Sequence, residues 1–173
     1  MFNSMNSVSP LTSLFAYKAW ANDALFAKLA EIDVSTHSAE LHNTIRVMNH
    51  IYTVDRIFQA NLQAQPHAIT ATNTPETPTL EELHAAVRVV DSWYQDYVAK
   101  LDDAKLNESI AFTFTDAQNG RMTRHEMLLH VITHGGYHRG AVGRILVGAG
   151  MSPPRDTLTV FLHSTEPSRR EQS

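Results

Sequence analysis

Three histidines recur at every fourth position in an apolar stretch near the C-terminus, at His130, His134 and His138. Residues four apart on an α-helix differ by roughly 40° in azimuth and about one turn in height, so these imidazoles share one face. Neutral imidazole is a common protein ligand for zinc and nickel. One helix supplies two adjacent ligands, and a third must come from another element. His50 is the candidate for that third ligand.

Glycines accompany two of these histidines, although a glycine inside a helix destabilises it by about 1 kcal/mol relative to alanine. The positions are Gly135, Gly136, Gly140 and Gly143. We interpret them as places where a neighbouring helix or a ligand approaches the backbone, which favours His134 and His138 as the metal-binding pair. His130 is then a core residue or a residue that supports the ligands. Tight helix packing without a metal is the alternative.

The composition limits the classes of protein to which the chain can belong. A chain of 173 residues with 43% hydrophobic residues can build one domain with a continuous core. The net charge of -4 disfavours nucleic acid and anionic membranes as partners, and the lack of cysteine excludes disulfides and thiolate ligands. No apolar run approaches the ~20 residues that span a bilayer, and the N-terminus lacks the pattern of a signal peptide. We expect a cytoplasmic protein.

Apolar residues that recur at threes and fours predict four long amphipathic helices, at residues 10–32, 41–62, 80–101 and 124–149. The third and fourth helices begin with capping-box patterns at Thr79 and Thr123, and Gly150 is the predicted C-terminal cap of the fourth. Trp20 is predicted to lie in the core. This pattern predicts an all-α, four-helix bundle.

The connections are predicted to be short, apart from one loop at residues 66–79. Alternating apolar residues at 110–114, followed by Asn119 and Gly120, predict a short hairpin or an ordered loop with a turn at that pair. Asp156 is predicted to cap a short C-terminal helix that runs through Leu162. We expect a single domain over residues 1–173, with an ordered core at 9–163 and a disordered tail at 164–173.

The run THGGYHRGAVGRIL contains the pattern His-x3-His-Arg-Gly, and it resembles the fourth helix of the DinB-like (DinB/YfiT-like) family. YKAWAN at 17–22 is similar to the first-helix pattern, NHIYTVDRIF at 49–58 to the second-helix histidine segment, and AGMSPPRDTLTVFL to the C-terminal element. The resemblance therefore covers almost the whole chain. One departure is Ala141, where the family commonly has glutamine.

The resemblance implies a four-helix bundle with one divalent ion, nickel or zinc, bound by His50, His134 and His138. It also implies two reactions, because similar bundles include thiol-dependent transferases and a maleylpyruvate isomerase, and others are described as metal-dependent hydrolases. A three-histidine site can serve either reaction by activating a bound thiol or a bound water. The alternative is a non-catalytic, metal-binding stress-response protein with a structural ion.

The expected partner is a small-molecule substrate, with a low-molecular-weight thiol as the first candidate. We expect neither nucleic acid nor a membrane as a partner, and we consider a homodimer as an assembly. The sequence shows no general base within one turn of the ligands, because Asp55 lies about 140° round the helix from His50. Asp55 is therefore expected to be structural, and Arg139 is expected either to pair with a carboxylate such as Asp55 or to cap a helix end.

Overall fold

Four long helices dominate the computed structural model, which describes residues 8–171. In chain order the elements are α1 (Val8–Leu29), α2 (Val34–Leu62), α3 (Leu80–Val98), α4 (Asp103–Leu106), β1 (Ser109–Thr113), β2 (Asn119–Thr123), α5 (Arg124–Gly148), α6 (Leu158–Thr165) and a 3-10 helix, Pro167–Arg170. The predicted all-α, four-helix bundle is confirmed, with one two-stranded antiparallel sheet before its last long helix. Within residues 8–171, no helix combines the length and apolar character that crossing a bilayer requires.

The capping boxes mark the starts of two helices correctly. The hydroxyls of Thr79 and Thr123 accept hydrogen bonds from the backbone of Glu82 and Glu126, and both glutamates reach back to the cap residues. The start of α2 was predicted seven residues too late, because Asp33 caps the helix by accepting from the Ser35 backbone. A local kink at residue 37 separates this first turn from the rest of α2.

The hairpin forms, but its turn is not where the sequence predicted it. Phe114 donates its backbone N–H to Gln118, and Ala117 adopts a positive φ of 67°, so the chain reverses at residues 114–118. Asn119 and Gly120 lie inside β2, where Gly120 faces Phe112 across the ladder. The predicted turn pair therefore belongs to a strand. Gly120 packs closely against the rings of Phe112 and Phe114.

The C-terminal region contains two short helical segments. Thr157, not Asp156, caps α6, and its hydroxyl accepts a hydrogen bond from the Val160 backbone. The helix continues to Thr165, and the 3-10 helix follows at Pro167–Arg170; residues 172–173 lie outside the described part, and the disorder of the tail stays a prediction. At the end of α5, Gly150 has a φ of 73° and follows the last turn, as predicted for its cap.

Packing contacts order the long helices around the bundle as α1, α3, α2, α5. Their buried apolar residues form two clusters, one around Phe15, Tyr94 and Met127 and the other around Leu29, Met48 and Leu146. Between the clusters lies a layer of buried polar side chains, which are Lys18, Asn22, Asp55, Asp91 and Arg139. The bundle thus has two apolar halves with a charged middle.

The prediction for Trp20 is wrong in detail. Its side chain is only partly buried, and it packs against Tyr17 and Phe161 at the outside of α1. The residues of α1 that lie in the core instead include Leu11, Phe15 and Phe26. Trp20 therefore joins α6 to the bundle.

Candidate metal centre

His50 lies near the middle of α2 and is oriented by the loop that follows this helix. Its Nδ1 lies 3.0 Å from the backbone carbonyl oxygen of Thr72. A carbonyl can only accept, so Nδ1 donates and carries the proton, which leaves a lone pair on Nε2. Imidazoles that bind metals are commonly oriented by such a bond from the other ring nitrogen. The loop at 66–79 thus fixes the ring in the tautomer that a metal requires.

Two histidines of α5 face His50 across the interface between the helices. The Nε2 atoms of His50 and His134 are 3.1 Å apart. The ring of His138 lies 4.6 Å from that of His50 and 4.5 Å from that of His134, between centroids. One nitrogen of each of the three rings lies within 4.8 Å of the others. The structure therefore brings together all three of the predicted ligands.

This arrangement fits a divalent ion by its donor chemistry. Nitrogens about 2.0–2.1 Å from a common ion lie roughly 3 Å apart, which is close to the separation between His50 and His134. Burial, followed by the neighbouring imidazoles of His138 and His50, lowers the pKa of His134 to about 3. Burial, and then His50, also lower the pKa of His138. Both rings are thus neutral near pH 7, as ligands must be.

The two ring nitrogens of His134 have different surroundings. Its Nδ1 is buried and has no hydrogen-bond partner among the described residues. Its Nε2 faces the lone pair of His50, so only a proton or a metal on this side avoids repulsion between two lone pairs. The geometry therefore suits a cation between α2 and α5.

His130 lies one turn earlier on α5 and remains outside the cluster. Its ring stacks on His134 at 5.4 Å and lies tilted against Phe58 at 4.6 Å, between centroids. Burial lowers the pKa of His130. Among the described residues, none forms a hydrogen bond with its ring nitrogens. His130 also does not belong to the three-histidine group. Its surroundings are aromatic, which agrees with the predicted supporting position.

The interpretation of the glycines holds only in part. A Cβ at Gly135 would lie 3.3 Å from the guanidinium of Arg139, so this position has a close neighbour. A Cβ at Gly143 would make ordinary contact with Pro153. Gly136 and Gly140 face open space, with no heavy atom within 4 Å of a Cβ. For these two, no neighbouring helix makes the predicted close approach; both line a cavity of about 290 Å³ between α1, α5 and residues 153–156, so the approach of a ligand stays a prediction.

Charged residues behind the histidines are structural. Lys18 forms ion pairs with Asp55 at 2.8 Å and with Asp91 at 2.5 Å, deep in the bundle. The expectation that Asp55 is structural is therefore confirmed. Arg139 does not pair with Asp55; its Nε donates to Asp156 at 2.7 Å. This partner was missed because Asp156 had been interpreted as a helix cap.

The buried role of Lys18 was also missed from the sequence. Lys18 and Asn22 are four residues apart on α1, at positions that face the interior together with Leu11 and Leu25. These two polar residues in an otherwise apolar helix face were the signal in the sequence for a buried polar group. Asn22 donates to Asp91 at 2.7 Å, so the two polar residues of α1 hold the same carboxylate.

An all-α bundle with three converging histidines defines a candidate metal-binding helical protein. A sequence model of the DinB family matches residues 1–171, and the chain belongs to this family. It is similar to Protein DinB of Bacillus subtilis (strain 168), with 26% identity over 164 residues that cover 88% of this chain and 95% of that protein. No solved structure matches the chain significantly.

Proposed function

We propose that the protein is a metal-dependent enzyme in which His50, His134 and His138 hold one divalent ion, nickel or zinc, beside a small-molecule thiol. The observation that carries this proposal is the convergence of three imidazoles from two helices. Within the described residues, no fourth His, Asp or Glu joins the group. Structural zinc sites usually have four protein ligands, whereas catalytic sites keep a position open. The ligand set therefore favours catalysis over a structural ion.

A divalent ion held by neutral ligands keeps its 2+ charge and lowers the pKa of a thiol or water beside it. The protein's own residues favour the thiol. Asp55 is paired with Lys18 in the interior, so it is not available as a base for water. An ordinary thiol has a pKa of about 8.5 and water about 15.7, so a smaller lowering of the pKa is enough to ionise the thiol near neutral pH. Hydrolysis is the second candidate.

A polar cavity gives such a molecule access to the histidines. It has a volume of about 270 Å³ and is lined by Arg46, Val47, His50, Asn73 and His138. The Arg46 guanidinium is held by the backbone carbonyls of Thr74 and Glu76. It therefore places a fixed positive charge in the lining, which suits a polar or anionic co-substrate.

Cobalt-substituted protein tests this proposal. Titration with L-cysteine should shift the visible charge-transfer bands, because sulfur bound to cobalt absorbs there. L-serine, which differs only in its hydroxyl, should leave the bands unchanged. If cysteine and 2-mercaptoethanol have no effect but 4-nitrophenyl acetate is cleaved in a metal-dependent way, the protein is a hydrolase. No response in either assay would contradict catalysis and favour a structural ion.

A further inference from the structure

A second cavity lies on the other side of the histidines, between α2, α5 and the hairpin. Its volume is about 240 Å³, and it shares His50 and His134 with the candidate metal centre. Its apolar lining consists of Val54, Ile57, Phe58, Phe112 and Phe114. Among the described residues that line it, none is Asp, Glu, Lys or Arg. We call it the hairpin cavity.

An unbroken row of aromatic rings leads along this cavity to the histidines. Phe114 contacts Phe112 edge to face at 4.8 Å, and Phe112 lies 6.2 Å from Phe58, between ring centroids. Phe58 contacts His130 in a tilted arrangement at 4.6 Å, and His130 stacks on His134. Phe114, at the outer end, is 47% exposed. The row therefore runs from solvent to a candidate metal ligand.

The hairpin holds the outer rings in place through Gly120. A Cβ at this position would lie 2.7 Å from both Phe112 and Phe114. Real Cβ atoms do not approach so closely, so only glycine lets the two rings lie across β2. Phe112 is partly buried and packs against the apolar cluster around Phe15, whereas Phe114 is exposed and extends the same wall outward. The outer rings are thus arranged as one wall of a cavity.

We propose that the hairpin cavity binds an uncharged aromatic group of the substrate, one or two rings in size, next to His134. Aromatic walls bind rings by offset or edge-to-face stacking. A charged group would lose its hydration there without meeting an opposite charge among the side chains of the lining. Apolar cavities of roughly 150 Å³ hold a benzene ring, so this one has room for a larger group. The polar cavity beside Arg46 is left for the co-substrate.

The role of the hairpin cavity in catalysis rests on the proposed function, but binding of an aromatic molecule to this cavity can be measured separately. Isothermal titration of the metal-loaded, full-length protein with 2-naphthol should show saturable binding at one site. Decahydro-2-naphthol, which keeps the size and the hydroxyl but has no aromatic ring, should bind about 5-fold more weakly, a difference of about 1 kcal/mol. Phe114→Ala and Phe112→Ala should each weaken 2-naphthol binding about 5-fold or more.

Val89→Ala is the matched control, because Val89 is also exposed and apolar but lies on α3, away from the cavity. It should bind 2-naphthol as tightly as the parent. Absence of saturable binding by the parent, or unchanged affinity in both folded phenylalanine variants, would overturn the proposal. Phe114 is at the surface, so its variant remains a test even if Phe112→Ala does not fold.

Metal content measured on the same samples separates the two proposals. Both phenylalanine variants should keep the metal, because neither side chain belongs to the three-histidine group. Metal binding without 2-naphthol binding would overturn the hairpin cavity alone. Binding of 2-naphthol by a protein that takes up no metal would support the cavity and contradict the proposed function.

Discussion

Lys18 lies in the interior of the bundle, with its ammonium between the carboxylates of Asp55 and Asp91. Burial lowers the pKa of Lys18, but the two carboxylates more than offset it, so the pKa lies above its ordinary value. Burial raises the pKa of Asp55 to about 6, although Lys18 opposes this shift. One buried cation therefore holds two carboxylates together.

We predict that Lys18→Met lowers the free energy of unfolding by about 3–5 kcal/mol, because it leaves two buried carboxylates without their counterion. Lys28→Met is the matched control on the same helix. Lys28 pairs with Glu31 near the surface, and its loss should cost about 0.5 kcal/mol or less. Urea denaturation measures both values.

The effect of Lys18→Met should also depend on pH. A carboxyl whose pKa is higher in the folded than in the unfolded protein takes up a proton more readily when folded, so lowering the pH favours the folded state. Because the pKa of Asp55 is already about 6, the loss should be smaller at pH 5 than at pH 7. An equal loss at both values, or no loss at all, would contradict the role given to Lys18.

At the scale of the elements, α5 joins the three-histidine cluster to the polar layer. Gly135 lies on its inner face, beside Arg139 and Lys18, whereas Gly140 faces open space. Arg139 is held by Asp156 and Asn22, so its guanidinium has little freedom to move away from a new methyl group. The two glycines therefore have opposite packing environments on one helix.

We predict that Gly140→Ala raises the free energy of unfolding by up to about 1 kcal/mol, because alanine favours the helix and meets no neighbour. Gly135→Ala should be neutral or destabilising by about 1–3 kcal/mol, because crowding of Arg139 cancels that gain. Thermal or urea unfolding of the two variants compares them directly. A stabilising Gly135→Ala would show that Arg139 can move.

Local sequence patterns were sufficient where a few adjacent residues determine the structure. The caps at Thr79 and Thr123 are such cases, because each capping box is completed within four residues. The Asn119 and Gly120 pair was misread, because the reason for Gly120 is the pair of rings on the facing strand. Local propensity could not show that contact, and tertiary packing decided the position of the turn.

At the scale of the whole molecule, the bundle places α2 against α5 and so brings together residues 84 positions apart. The spacing on α5 predicted the helix and its histidine face. His50 was also predicted to be the partner of these histidines. The sequence could not show that the loop at 66–79 orients His50 through Thr72, since that contact depends on the folded loop. Nor could it reveal the apolar and polar cavities on either side.

Metal stoichiometry across a set of histidine variants tests the central claim most directly. We predict one ion per chain in the parent after loading with nickel or zinc, measured by inductively coupled plasma mass spectrometry. His50→Ala, His134→Ala and His138→Ala should lose stoichiometric metal and stay helical, because the apolar clusters hold the bundle. His130→Ala, the matched control one turn away on α5, should keep its metal. A parent without metal, or a His138→Ala variant that retains a full ion, would contradict the account.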